Sequence, residues 1–318
     1  MARTAGKNGS GRTGYLTTSA RGLRMDSVPM RLFQKAKKLG IWDPADLDFR
    51  QDKKDWDART DIEKDFLLRL LAQFQGGEEA VTVDLLPLIH AVAHDGHIEE
   101  EMFLTSFLWE EAKHVEMFRR FLNEVCEVDY DLHHYTDPSW RKIFYEELPA
   151  AMGRLLTDQS LEAQAIASTT YNMVIEGMLA ETGYHGFRRG LKQNGLMPGI
   201  CAGIELTARD ESRHIRYGVY LLERLISEDP RMWDVINTRM NELFPIALAL
   251  VSEFWENYEE GAHPFDLTMD EFVDFSARKF DGRMKVLERD RGKAMAEIEK
   301  AVVKDLEADE RELEEAFA

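Results

Sequence analysis

The chain has 318 residues, of which 44% are apolar and 31% charged, with a formal net charge of −19. That length can bury a substantial core in one large domain or two ordinary ones. The composition is that of a soluble globular protein, and the acidic balance excludes a general nucleic-acid binder, which needs Lys and Arg clustered against phosphate. Residues 1–27 are rich in Gly, Ser, Thr and Arg, lack the apolar core of a secretory signal, and read as a flexible basic lead-in. From about Thr60 onward the apolar pattern is helical. It predicts helices over Asp61–Ala93, His97–Val125, Pro138–Leu156, Ser160–Gln193, Pro198–Ser227 and Pro230–Tyr258, with shorter ones over Met269–Phe280 and Gly292–Glu315.

The stops between them, "HDGH", "VDYDLHHYTDP", "QNGLMPG", "SEDP" and "EEGAHPFD", carry the Gly, Pro, Asn and Asp of helix ends. No stretch alternates with period two. Helices near 30 residues, about 45 Å long, with short connections define an elongated antiparallel bundle. We therefore expect an all-α domain over residues 28–290, with 291–318 as an acidic, solvated helical tail. The longest clean apolar run, Phe244–Val251, is far short of the roughly 20 residues of a membrane span. Cys126 and Cys201 stand far apart in no metal-type spacing, which suggests a reducing compartment, here the cytoplasm.

Two stretches repeat one chemistry. "EEAKH" (Glu110–His114) and "DESRH" (Asp210–His214) each contain Glu-x-x-His. Residues three apart lie about 60° apart around a helix, so Glu and His share a face. The stripes Phe107, Glu111, His114, Phe118 and Thr207, Glu211, His214, Gly218, Leu221 point both pairs inward, with Lys113, Arg120, Arg213 and Arg216 off the stripes. Ionised Glu inside a bundle is costly unless paired or bound to a cation. A third pair, Glu260 and His263, falls at a helix stop before Pro264 and is set aside as surface. Upstream of each retained pair stands a further inward Glu: Glu78 lies 33 residues before Glu111, and Glu176 lies 35 before Glu211. A Glu from each of two helices plus Glu-x-x-His from each of two others is the ligand set of ferritin-like carboxylate bundles, and four carboxylates with two imidazoles suit two divalent ions such as Fe or Mn.

Neighbouring residues have plainer readings. Gly76 and Gly77 break the first long helix before Glu78, either for close packing or to loosen the backbone that aims that carboxylate. Tyr145 and Tyr184 read as core tyrosines with satisfied hydroxyls, and Met173, Met178 and Leu179 as core. Asp210 is either a surface acid or an acceptor for the ring N–H of a ligand His. The remaining histidines fall in loops, and Leu104 and Leu108, apolar and off the metal stripe, read as helix surface that a second copy would cover.

With "GEEAVTVD", "WEEAKH", "FYEELPAA", "TYNMVIEGMLAETGY" and "RDESRH", the sequence resembles the ribonucleotide reductase small-subunit superfamily, and more closely its ligand-binding oxidase branch, over roughly residues 30–280. The resemblance implies a ferritin-fold homodimer with one manganese and one iron, or two irons, and a long-chain fatty acid whose carboxylate reaches the metals. It implies Glu78, Glu111 and His114 on the manganese side and Glu176, Glu211 and His214 on the iron side, with Glu111 among the bridging groups. It also implies an ether cross-link between Val81 and Tyr171. Tyr171 lies five residues before Glu176, about 140° away on a regular helix, so the cross-link calls for a π-type distortion there.

Three functions follow as expectations. The first is an oxidase that uses O₂ and an unknown electron donor for a two-electron oxidation of a hydrophobic ligand. The second is a radical-generating reductase subunit, although Phe118 stands where that family usually carries its radical tyrosine. The third is a non-catalytic metal-storage or lipid-binding protein.

Overall fold

The computed structural model describes residues 14–259 and 263–304. Among them the chain is helical with no strand. Its α-helices are α1 (Val28–Leu39), α2 (Arg50–Asp57), α3 (Asp61–Asp95), α4 (Ile98–Glu124), α5 (Pro138–Arg141), α6 (Leu148–Arg154), α7 (Leu161–Ser168), α8 (Glu181–Phe187), α9 (Pro198–Glu228), α10 (Met232–Glu256) and α11 (Met269–Asp290). Three π-helical segments are spliced between them: π1 (Lys142–Glu147), π2 (Thr169–Ala180) and π3 (Arg188–Lys192). The predicted helices over Pro138–Leu156 and Ser160–Gln193 are thus each a run of α and π pieces.

Local chemistry sets the boundaries. Thr60 and Glu63 form a reciprocal capping box that opens α3, and Gly96 closes it in the left-handed conformation. Ser160 and Thr268 cap α7 and α11 through their side-chain oxygens. Gly76 and Gly77 do not break α3, which runs through them. A Cβ on Gly76 would sit 3.0 Å from the Trp140 ring, so the glycine serves close approach of the helix beginning at α5. Residues ahead of α1 are also less free than expected: Arg21 holds Glu99 of α4 through two hydrogen bonds of 2.9 and 3.0 Å. Of the predicted tail helix, residues 295–304 are helical, while its remainder, and Glu260 of the discarded pair, lie outside the described residues.

The core falls into two apolar clusters, one containing Leu85, Phe103, Phe107, Met173 and Leu221, the other Phe66, Leu71, Phe118, Phe121 and Ile204. Each long helix changes cluster midway. α3 passes from Leu71 to Leu85 across Glu78, α4 from Phe107 to Phe118 across Glu111 and His114, and α9 from Ile204 to Leu221 across Glu211 and His214. The antiparallel helices therefore hold a polar layer at mid-height, sealed from water above and below. Leu104, expected to face a partner, is fully buried in the first cluster. Tyr145, expected in the core, is 53% exposed.

Candidate metal centre

All six acidic and imidazole residues singled out in the sequence meet in this layer, and all are buried. They form two overlapping groups whose ligand atoms lie within 4.8 Å of one another: Glu78, Glu111, His114 and Glu211, and Glu111, Glu176, Glu211 and His214. Both Glu-x-x-His carboxylates are shared. Glu111 turns Oε2 toward His114 Nδ1 (3.5 Å) and Oε1 toward His214 Nδ1 (3.2 Å). Glu211 turns Oε1 toward His114 (3.6 Å) and Oε2 toward His214 (3.4 Å). The resemblance put Glu111 among the bridging groups; the fold also places Glu211 between the two imidazoles. Glu78 lies 3.4 Å from His114 and Glu176 lies 3.6 Å from His214, so each completes one side.

The donor atoms have no other work. His114 Nδ1, His214 Nδ1, both Glu111 oxygens, Glu176 Oε1 and Glu211 Oε2 are buried without a hydrogen-bond partner. Buried polar atoms are rarely left so. Orphans from both imidazoles and three of the four carboxylates, converging on one space, fit a pair of cations. Burial pushes the Glu78 carboxyl up to about 8 and the Glu176 carboxyl well above its ordinary value. Glu211 is raised by burial and by the facing Glu111. Burial also works against an ionised Glu111, but the rings of His114 and His214 outweigh it and hold that carboxyl down at about 2. Crowded carboxylates of this kind need protons or metal ions to neutralise them.

The outward ring nitrogens are fixed crosswise between helices. His114 of α4 faces Asp210 of α9 through Nε2 at 3.3 Å, and His214 of α9 faces Glu110 of α4 at 2.9 Å. Asp210 is therefore the acceptor and not a surface acid. Glu110 was missed by sequence reasoning. The repeat itself carried the signal, since an acid precedes the liganding Glu in both "EEAKH" and "DESRH". Arg213 joins the two acids, 2.6 Å from Glu110 and 2.5 Å from Asp210. Asp210 also receives Lys113 Nζ at 3.1 Å and Trp42 Nε1 at 2.8 Å. Lys113 and Arg213, off the inward stripes, are nevertheless buried. With two divalent ions bound the charges would close, four ligand carboxylates with Glu110 and Asp210 being offset by Lys113, Arg213 and the ions.

Further contacts shape the surroundings. Asn172 Nδ2 donates to Glu176 Oε2 at 2.8 Å. Gly218 makes room for this, because a Cβ there would meet Asn172 at 2.2 Å. Tyr184 is buried, and its hydroxyl points at Glu211 Oε1 from 3.4 Å. Tyr171 and Glu176 both lie on π2, where i→i+5 bonding brings residues five apart nearly above one another. The 140° separation of a regular helix shrinks accordingly, and the Tyr171 hydroxyl donates to the Val81 carbonyl at 3.2 Å. An apolar channel, open to solvent, includes Glu78, Glu176 and Glu211 in its lining. Phe74, Trp140, Phe144, Leu179, Phe254 and Phe272 are among its walls. His185, by contrast with the loop position expected for it, is on α8 and pairs with Glu271 at 2.9 Å.

A long-helix bundle enclosing two overlapping Glu/His clusters defines the class of dinuclear carboxylate proteins. The family model for the ribonucleotide reductase small chain matches residues 30–288. Among solved structures, an R2-like ligand-binding oxidase with aerobically reconstituted Mn/Fe cofactor after a long soak is 39% identical, with a TM-score of 0.84, over 87% of this chain and 98% of its own. A tyrosine-to-phenylalanine variant of such an oxidase, also with aerobically reconstituted Mn/Fe cofactor, is 40% identical, with a TM-score of 0.81, over 86% and 98%. A valine-to-isoleucine variant is 39% identical, with a TM-score of 0.83, over 86% and 99%. The chain belongs to the ribonucleotide reductase small-chain family, in its R2-like ligand-binding oxidase branch, and is an oxidoreductase.

Proposed function

We propose that the chain is a manganese–iron oxidase that uses O₂ to oxidise a hydrophobic, fatty-acid-like ligand by two electrons. Glu78, Glu111 and His114 would hold manganese and Glu176, Glu211 and His214 iron, with Glu111 and Glu211 between them. The observation that carries this reading is the apolar channel with ligand carboxylates in its lining. A long alkyl chain fits its aromatic walls, while a carboxylate head needs a cation at its inner end. The metal pair, when bound, supplies Lewis acidity and the redox equivalents for oxygen reduction. The protein's residues do the rest. Glu110 and Asp210 hold both imidazoles with Nδ1 inward, and Phe107, stacked 3.5 Å from the His214 ring, keeps water from that side.

The same oxidising power would join Val81 to Tyr171. Loss of hydrogen from a Val81 C–H and from the Tyr171 O–H leaves a C–O bond, with two electrons and two protons passing to oxygen. The 3.2 Å contact between the two residues supports this. A homodimer is part of the proposal. Val83 and Leu86 on α3, 59% and 54% exposed, replace Leu104 as the apolar surface to be covered.

The test is to load metal-free protein anaerobically with Mn²⁺ and Fe²⁺, desalt, count metals, admit O₂ and map peptides. Two metals per chain, a mass loss of two hydrogens and a linked Val81–Tyr171 peptide are expected, with no link in Tyr171→Phe. Fewer than two metals would refute the oxidase reading. Two metals with no linked peptide would refute the cross-link. Light scattering at micromolar concentration should give a dimer.

A further inference from the structure

Beyond the centre, α9 continues as a ladder. His214 is followed at three-residue intervals by Tyr217 and Tyr220, each step about 60° around the helix. Tyr217 is fully buried. Its ring is 5.2 Å from Phe103 and 6.4 Å from Tyr220, and Phe103 leads through Phe107, at 6.0 Å, to the face of His214. The equivalent turn after His114 carries Met117 and Phe118, which offer no such chemistry.

Each phenol in the ladder has a carboxylate partner. Tyr217 donates to Glu100 Oε2 at 3.0 Å, and Tyr220 donates to Glu299 Oε1 at 3.4 Å. Glu100 is buried against Arg224 Nε (3.1 Å) and meets His97 Nδ1 at 3.4 Å. The His97 side chain is about one-third exposed and lines a surface cleft with Arg24, Tyr220 and Glu299. Burial and the facing Glu100 hold the Tyr217 phenol well above its ordinary pKa. It therefore stays neutral, and an electron can leave it only together with the proton. Tyr171 and Tyr184 are also buried, but their hydroxyls face Val81 and Glu211 inside the centre, and neither lines the cleft.

We infer that Tyr217 and Tyr220 form an electron relay between the dimetal centre and the cleft at His97, with Glu100 and Glu299 as their proton acceptors. The inference rests on the oxidase reading above. Reduction of O₂ to two waters takes four electrons, and two divalent ions becoming trivalent supply two. A ligand oxidised in the channel, or formation of the Val81–Tyr171 link on the first turnover, supplies the remaining pair. When the link has already formed and no ligand is present, the relay supplies them one at a time. Tyr217 gives an electron to the oxygen-oxidised metal pair and its phenolic proton to Glu100. Tyr220 then returns an electron to Tyr217, passing its own proton to Glu299, while Glu100 gives its proton back to the Tyr217 phenolate oxygen. A soluble one-electron reductant at the cleft, such as ascorbate, restores Tyr220, and Glu299 returns its proton. Each tyrosine ends as it began, and the net electron comes from the reductant.

The experiment is freeze-quench electron paramagnetic resonance on full-length protein that holds both metals and has already formed the Val81–Tyr171 link, reduced anaerobically with dithionite, desalted and mixed with O₂ without added fatty acid. Ring-deuterated tyrosine identifies the signal. Wild type should give a tyrosyl radical, and Tyr217→Phe should abolish it with unchanged metal content and melting temperature. Glu100→Gln should lower its yield at least fivefold. Tyr220→Phe should keep the radical but slow its decay by ascorbate at least tenfold. The relay is overturned if Tyr217→Phe leaves the signal intact, if ascorbate quenches Tyr220→Phe at the wild-type rate, or if wild type with two metals per chain gives no tyrosyl signal. Metal counts on the same samples separate the two readings, since protein that holds no metal would overturn both.

Discussion

Replacing Glu110 should weaken the metal site of His214 on the other helix, and leave the site of His114, four residues away on its own helix, nearly unchanged. The His214 Nε2 atom has Glu110 as its acceptor, at 2.9 Å, in a fully buried setting. His114 is oriented instead by Asp210, which Trp42, Lys113 and Arg213 hold in place. Outer partners of metal-bound imidazoles are typically worth about 10–100-fold in affinity, or about 1.4–2.7 kcal/mol. Glu110→Gln keeps an acceptor oxygen and loses the charge, so about tenfold is expected. Glu110→Ala removes the acceptor, so about 100-fold is expected. A double-mutant cycle assigns the effect. Anaerobic Fe²⁺ titration against a competing chelator is run on Glu110→Gln in His114→Ala and in His214→Ala backgrounds. The loss should appear in full in the first and vanish in the second. Equal losses in both backgrounds, or a loss confined to His214→Ala, would refute the crosswise reading.

Other outcomes follow from the same geometry. His114→Ala should empty mainly the site of Glu78 and His214→Ala that of Glu176, read as metals per chain after desalting, and two full sites in both variants would sink the ligand assignment. Gly183→Ala would place a Cβ 2.2 Å from the Phe74 ring, which lines the channel, so it should cost about 1–3 kcal/mol in a melting experiment and reduce uptake of a long-chain fatty acid measured by mass spectrometry of extracts. Phe107→Ala removes a fully buried ring stacked on His214 and should cost about 3–5 kcal/mol by denaturant titration. Burial raises Glu78 to about 8, so the metal-free carboxyl is protonated below that pH and a cation must displace the proton. Loading should release protons and tighten as pH rises from 6 toward 8, by up to about tenfold per unit for one proton displaced. Titration calorimetry in buffers of different ionisation enthalpy reads this directly, and a pH-independent affinity would contradict it.

The helices and the candidate ligands were legible along the chain, because both depend on spacing along one helix. Glu-x-x-His puts two donors on one face wherever the helix goes, and Thr60 with Glu63, or Gly96, ends a helix by local hydrogen bonding alone. The resemblance pointed to the branch through motifs of the same short range. Relations between helices were not legible there, because they depend on which helices pack together. Spacing within α9 cannot say that Glu211 reaches both imidazoles, or that Glu110 serves the histidine of the other motif. Lys113 and Arg213 looked like surface cations because they lie off the ligand stripe. They are buried because α4 and α9 bring Glu110 and Asp210 together, and buried acids draw in cations. Leu104 and Tyr145 were misplaced for the matching reason, since whether an off-stripe residue meets a neighbouring helix or water depends on which helices pack there. The register of π2 is likewise a tertiary matter. Bringing Tyr171 to Val81 while Glu176 stays in the metal layer requires five residues in about one turn, and no local propensity in "TTYNMVIEGMLA" signals that.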